Sequence, residues 1–102
     1  MEVVHQFAKE RGTKPVPIWF DGGIRNGRDI VKAIALGADY VSIGRPTLWG
    51  LACDGQKGVQ RVIETLQREM KQAMLECGCY SIQDIKSKNI IYSQRELTYA
   101  RL

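Results

Sequence analysis

An α/β fold is predicted by three features of this 102-residue sequence. Two short apolar runs, Val16-Pro17-Ile18-Trp19-Phe20 and Tyr40-Val41-Ser42-Ile43, read as strands. A helix-length segment separates them, so the strands should lie parallel. Each run closes on a glycine-and-arginine motif, Asp21-Gly22-Gly23-Ile24-Arg25 and Gly44-Arg45-Pro46. Both motifs therefore fall at carboxyl ends of strands, on one face.

The elements follow in order. Residues 2–11 form an amphipathic helix with Val3, Val4, Phe7 and Ala8 on one side. Gly12 stops it, and Pro15 and Pro17 forbid helix beyond. The strand from Val16 to Phe20 is apolar without alternation, as expected when both faces are covered. Pro17 counts against a central position, because proline withholds a ladder N–H. The next helix runs from Asn26 or Gly27 to Leu36, with Ile30, Val31, Ala33, Ile34 and Ala35 toward the sheet. Gly37 ends it and Ala38-Asp39 turns into the second strand, giving a right-handed strand–helix–strand unit.

Beyond Pro46, Leu48 to Ala52 makes a short apolar helical turn, and the longest helix begins near Gly58. Its apolar positions Val59, Val62, Ile63, Leu66, Met70, Ala73, Met74 and Cys77 keep three-four spacing, while Arg61, Glu64, Arg68, Glu69 and Lys71 take the other side. Gly78 ends it. Ser81 with Asp84 resembles a capping box for a short last turn, and the tail from Lys86 onward is polar and expected to be loose.

Composition narrows the function classes. Hydrophobic content of 44% with 25% charge is that of a globular chain. The net charge of +4 comes from 15 dispersed basic residues, and no basic run suggests a nucleic-acid patch. The three cysteines are an odd number, which favours reduced thiols over a disulfide framework. Cys77-Gly78-Cys79 has the wrong spacing for a CxxC pair, and no histidine stands near it, so no metal site is expected. No apolar run approaches the roughly 20 residues that span a bilayer. Two parallel strands cannot make a stable sheet covered on both faces, so the sequence reads as a piece of a larger fold. Its exposed strand edges favour association into a homo-oligomer.

The paired motifs suit a phosphate. Backbone N–H groups at glycines can approach phosphate oxygens, and Arg25 and Arg45 add charge-assisted contacts. Eight-stranded α/β barrels bind phosphate in this way after their last two strands, with a short extra helix. Arg28 reads as a helix-surface residue, and Trp19 and Trp49 as packing residues. His5, the sole histidine, belongs to the first helix's amphipathic run and is not expected to be catalytic.

The run from Asp21 to Asp29, Lys32-Ala33-Ile34-Ala35-Leu36-Gly37-Ala38, Ile43-Gly44-Arg45-Pro46, Leu51-Ala52 and Gly55-Gln56-Lys57-Gly58-Val59 resembles the FMN-dependent 2-hydroxy-acid oxidase and dehydrogenase family, which includes glycolate oxidase, lactate oxidase and flavocytochrome lactate dehydrogenase. The resemblance implies that the chain is the carboxyl-terminal quarter of a (β/α)8 barrel, with strands 7 and 8 and helices 7 and 8. The whole of 1–102 would be a partial domain of that family. It implies FMN as cofactor, with Asp21, Gly22, Gly23, Ile24 and Arg25 as one phosphate segment and Gly44 and Arg45 as the other. Asp21 would order the turn or accept from a ribityl hydroxyl, since a carboxylate repels phosphate.

In the family a histidine and an arginine from a stretch resembling His-Gly-x-Arg after strand 6 act on a small 2-hydroxy acid. This sequence has no such stretch and no catalytic residue is assigned to it. The chain alone is expected to be inactive, with substrate bound only in an intact barrel. Two alternatives differ in class: a non-catalytic, self-associating barrel fragment, or a piece of another phosphate-binding barrel such as an inosine-monophosphate dehydrogenase. Ala100-Arg101-Leu102 resembles the peroxisomal carboxyl-terminal address, so the expected location is peroxisomal or cytoplasmic.

Overall fold

The computed structural model describes residues 2–88 and 90–91. In order they form α1 (Glu2–Glu10), β1 (Trp19–Asp21), α2 (Gly27–Ala35), β2 (Tyr40–Ser42), α3 (Arg45–Glu76) and α4 (Ile82–Ser87). The Ala100-Arg101-Leu102 tail lies outside the described residues.

The two strands pair in parallel, Trp19 beside Tyr40, Phe20 beside Val41 and Asp21 beside Ser42. Both are shorter than the sequence predicts. Pro15 and Pro17 offer no N–H to a ladder, and the residues between them and β1 attach by other means. The Ile18 N–H donates to Asp39 Oδ2 at 2.9 Å, and the Ile18 carbonyl accepts from the Asp39 and Tyr40 N–H groups.

The chain by itself covers one face of its sheet, in keeping with the reading of two parallel strands as a piece of a larger fold. Side chains alternate along a strand, and Phe20 and Val41 point toward α2 among Ile24, Ala33 and Ala38. Trp19 and Tyr40 point the other way, 68% and 52% exposed, with their rings stacked 4.6 Å apart. A two-stranded sheet has one helical layer here, and the Trp19–Tyr40 face is largely open.

α2 is the centre of the packing. Ala33 and Ile30 meet the sheet, as the spacing predicts, while Val31 and Ile34 join Ala73, Cys79 and Ile85 in a second cluster with α3 and α4. Its amino end presses against α3: a Cβ on Gly27 would lie 2.1 Å from the Met70 nitrogen, so only glycine permits this crossing. α1 ends at Gly12 as expected, with the Gly12 and Thr13 N–H groups returning to the Lys9 and Ala8 carbonyls. Its apolar side is largely open, with Ala8 buried and Val3 and Phe7 exposed.

α3 keeps the expected order of a short helix followed by a long one, with an earlier start. It begins at once on Arg45, with Pro46 in its first turn, and runs to Glu76 through a break at Asp54 and Gly55. The two limbs cross at glycines: a Cβ on Gly58 would fall 1.8 Å from the Gly50 carbonyl oxygen. The surface pair Arg61–Asp54, at 3.4 Å, spans the break and adds little.

Lys86 to Lys88, the start of the tail expected to be loose, are anchored, and 92–102 lie outside the described residues. Ser81 Oγ accepts from the Asp84 N–H at 3.1 Å, the predicted cap, and Asp84 Oδ2 accepts from the Tyr80 N–H at 2.9 Å. Ile85 is fully buried. Lys86 pairs with Asp39, and Lys88 donates to the Gly78 carbonyl at 2.6 Å. The Lys86 ammonium and the Ile18 N–H hold the Asp39 carboxyl below its ordinary range.

Candidate functional site

The loops that follow β1 and β2 meet in one cleft of about 750 Å³. Asp21, Gly22, Gly23, Ile24 and Arg25 line one side and Gly44 and Arg45 the other, so every residue singled out in the sequence contributes to one concavity. The parallel pairing causes this, because it brings Asp21 beside Ser42 and sends both chains out at the same edge.

The first loop is a short span between fixed ends. At its start Asp21 is held in the sheet. In its middle the Ile24 side chain is buried in the core, so that residue serves packing with its side chain while its position borders the cleft. At its end the Asn26 side chain accepts from the Asp29 N–H at 3.0 Å, and Asp29 Oδ2 accepts from the Arg25 N–H at 3.0 Å. Between these ties lie Gly22 and Gly23, with φ of 101° and 73°, a region that side chains with a Cβ rarely adopt.

The second loop is the amino end of α3. Gly44 is the N-cap, and no side chain caps this helix. Gly44 has φ of −119°, and a Cβ there would meet nothing within 4 Å. Packing within the chain does not call for glycine at this position. Thr47 Oγ1 donates to the Gly44 carbonyl at 2.6 Å, which fixes the first turn. Among the described residues neither Arg25 nor Arg45 is in a salt bridge, so both guanidiniums keep their charge and donors for a ligand.

A cleft with two free guanidiniums, adjacent glycines and an uncapped helix amino end fits a phosphate group. Trp49, expected to pack, also borders it, as do Ser42, Ile43 and Pro46. Ser42 could have been found from the sequence, since period-two alternation puts it on the face opposite Val41. Trp19 stands elsewhere, on the open sheet face. Arg28 is exposed on α2 without an ion pair among the described residues. His5 lies on α1 and is not among the residues that line the cleft. No group of three or more metal-ligating side chains occurs among the described residues, and no helix there is long and apolar enough to cross a membrane.

Comparison with known proteins gives this geometry a family. The model of the FMN-dependent dehydrogenases matches residues 1–92. An L-lactate oxidase of Nostoc sp. is 57% identical over 68 residues, 67% of this chain and 19% of that protein. Glycolate oxidase 3 of Oryza sativa subsp. indica is 40% identical across the whole chain and 27% of its own length. A structure of a mandelate oxidase variant with an FMN monooxide adduct superposes with a TM-score of 0.72 at 39% identity, over 83% of this chain and 27% of that one. The chain spans about a fifth to a quarter of the curated relatives it matches. It belongs to the FMN-dependent dehydrogenase family.

Proposed function

We propose that this chain carries the phosphate-binding end of an FMN-dependent oxidoreductase that acts on the CH–OH group of small 2-hydroxy acids of the glycolate or lactate type. On this reading 1–102 is part of one domain, β1 and β2 are the seventh and eighth strands of a (β/α)8 barrel, and α2 and α3 are helices 7 and 8. The observation that carries it is the convergence of Gly22, Gly23 and Arg25 with Gly44 and Arg45 on one cleft.

The bound flavin would supply the hydride acceptor for the substrate α-carbon. This chain's part is to hold and orient it. The N–H groups of Gly22, Gly23 and Gly44 would receive phosphate oxygens, Arg25 and Arg45 would neutralise the charge, and Asp21 would accept from a sugar-like hydroxyl. A general base within reach of the substrate is the first need of proton abstraction. The cleft holds no histidine, so the 102 residues alone bind without turnover.

The test compares FMN with riboflavin, which lacks the phosphate, by flavin fluorescence. Two guanidiniums and several N–H donors should favour FMN by about tenfold or more, since each charge-assisted bond is worth about 1.5–3 kcal/mol. Equal affinity for the two flavins overturns the assignment. Bleaching of bound flavin on adding glycolate or lactate overturns the inactivity of the lone chain.

A second reading has its own support. The sheet has unpaired outer edges among the described residues, and the Trp19–Tyr40 face is open. Both favour self-association of the chain. Light scattering decides: a monomer at all concentrations removes this reading.

A further inference from the structure

The bond that finishes the amino end of α2 comes from 42 residues away. Gly27 donates its N–H to Glu69 Oε2 at 2.8 Å, and Glu69 is part-buried on the second limb of α3. The crossing at this point is tight enough that Gly27 cannot carry a Cβ. Asn26 and Asp29 satisfy neighbouring N–H groups, at Asp29 and Arg25. Three acceptor side chains thus gather at the amino end of α2.

We infer that Glu69 is a positioning residue for Arg25: its carboxylate pins the start of α2, and with it the arginine end of the loop that borders the cleft. The loop from Asp21 to Gly27 is fixed at β1, at the Ile24 plug and, at its far end, to α2. Gly22 and Gly23 lie between the first two ties, and Arg25 is held through Asp29 to the helix start that Glu69 fixes. Loss of the last tie frees the Arg25 side of the loop to drift, and small misplacements of a binding group are costly. Glu69 touches no part of the cleft itself; it lines a separate groove with Asn26, Arg28, Arg68 and Gln72. The phosphate assignment is the premise for the flavin arm of the test, and the loop arm is independent of it.

The full 102-residue chain is compared with Glu69→Ala, Glu69→Asp and Glu69→Gln. Amide hydrogen exchange is followed at Arg25 and Gly27, the two hydrogen-bonded amides of this stretch, without flavin, and affinities are measured for FMN and riboflavin. In Glu69→Ala, exchange at these amides rises by about tenfold relative to the α3 core, as expected for loss of one charge-assisted bond. The preference for FMN over riboflavin shrinks by a similar factor, and riboflavin affinity holds. Glu69→Gln keeps an oxygen at the same reach and restores most of both. Glu69→Asp keeps the charge but withdraws the oxygen, and behaves as Glu69→Ala.

Loop exchange that stays as in the parent chain overturns the inference, as does a uniform rise throughout the chain with both flavins weakened together. If Glu69→Ala does not fold, Glu69→Asp with parental loop exchange overturns it equally. If the parent chain prefers neither flavin, the phosphate assignment falls, and the exchange data alone decide on Glu69.

Discussion

The amino ends of α2 and α3 occupy equivalent places, each one loop beyond a parallel strand, yet they are finished in opposite ways. α2 begins under Asn26, Asp29 and Glu69, with acceptors for its early N–H groups drawn from its own turn and from α3. α3 begins on Gly44 and Arg45 with no side-chain cap and no acidic residue in its first turn. A helix amino end carries partial positive charge wherever it occurs. What separates these two is whether the protein has neutralised it. The capped end is a fixture of the fold, and the uncapped end faces the cleft with an arginine beside it.

The contrast can be broken most forcefully at the joint that aims the open end. Gly58→Ala drives a Cβ into the Gly50 carbonyl, where backbone and not a pliant side chain must move. We expect a loss of about 3 kcal/mol in stability, or failure to fold, in chemical denaturation. Arg45→Ala should act on the ligand alone. FMN affinity should fall by about tenfold or more, in line with one lost charge-assisted contact, while the denaturation midpoint stays in place. A shifted midpoint would mean that Arg45 belongs to the fold after all.

Asn26→Ala probes the finished end and should do the reverse. Loss of an N-cap costs about 1 kcal/mol of stability, measurable by thermal or urea unfolding, with the larger share of FMN preference retained. A smaller effect is expected from acid, at the opposite end of the strands. Lys86 and the Ile18 N–H depress the Asp39 carboxyl, so the folded state binds its proton less readily than the unfolded chain does. The stability this confers is present above the ordinary carboxylate pKa of about 3.9 and is lost as pH falls through the lower folded value. Asp39→Asn should flatten that part of the stability–pH curve. An unchanged slope would show the ion pair to be inconsequential.

The sequence spoke clearly wherever the controlling interactions are local. Ser81 with Asp84 announces its cap because the partners are three residues apart, and the two glycine motifs announce a shared edge because one helix separates two strands. Pro46 was a readable signal for a helix beginning at Arg45, since proline suits a first turn, but a motif treated as a strand end hid it. The break at Asp54-Gly55 is legible too, since it falls between the short turn expected to end at Ala52 and the long helix expected from near Gly58. Interactions between distant residues left no trace. Lys86 looked like the start of a polar tail until Asp39, 47 residues earlier, met its ammonium. Glu69 looked like one charge on a solvated face, because nothing in a helical period says that a glycine N–H will arrive there. Strand length was misjudged for a related reason: a ladder extends only as far as its neighbour does, and proline limits the first strand.

The two tryptophans stand in different surroundings, Trp19 stacked on Tyr40 at the open sheet face and Trp49 at the lip of the cleft. Each is a fluorophore, and a flavin absorbs where tryptophan emits. Emission from Trp49 is therefore sensitive to what enters the cleft, and emission from Trp19 to what covers the sheet. Trp→Phe replacement at either position assigns each emission to its tryptophan.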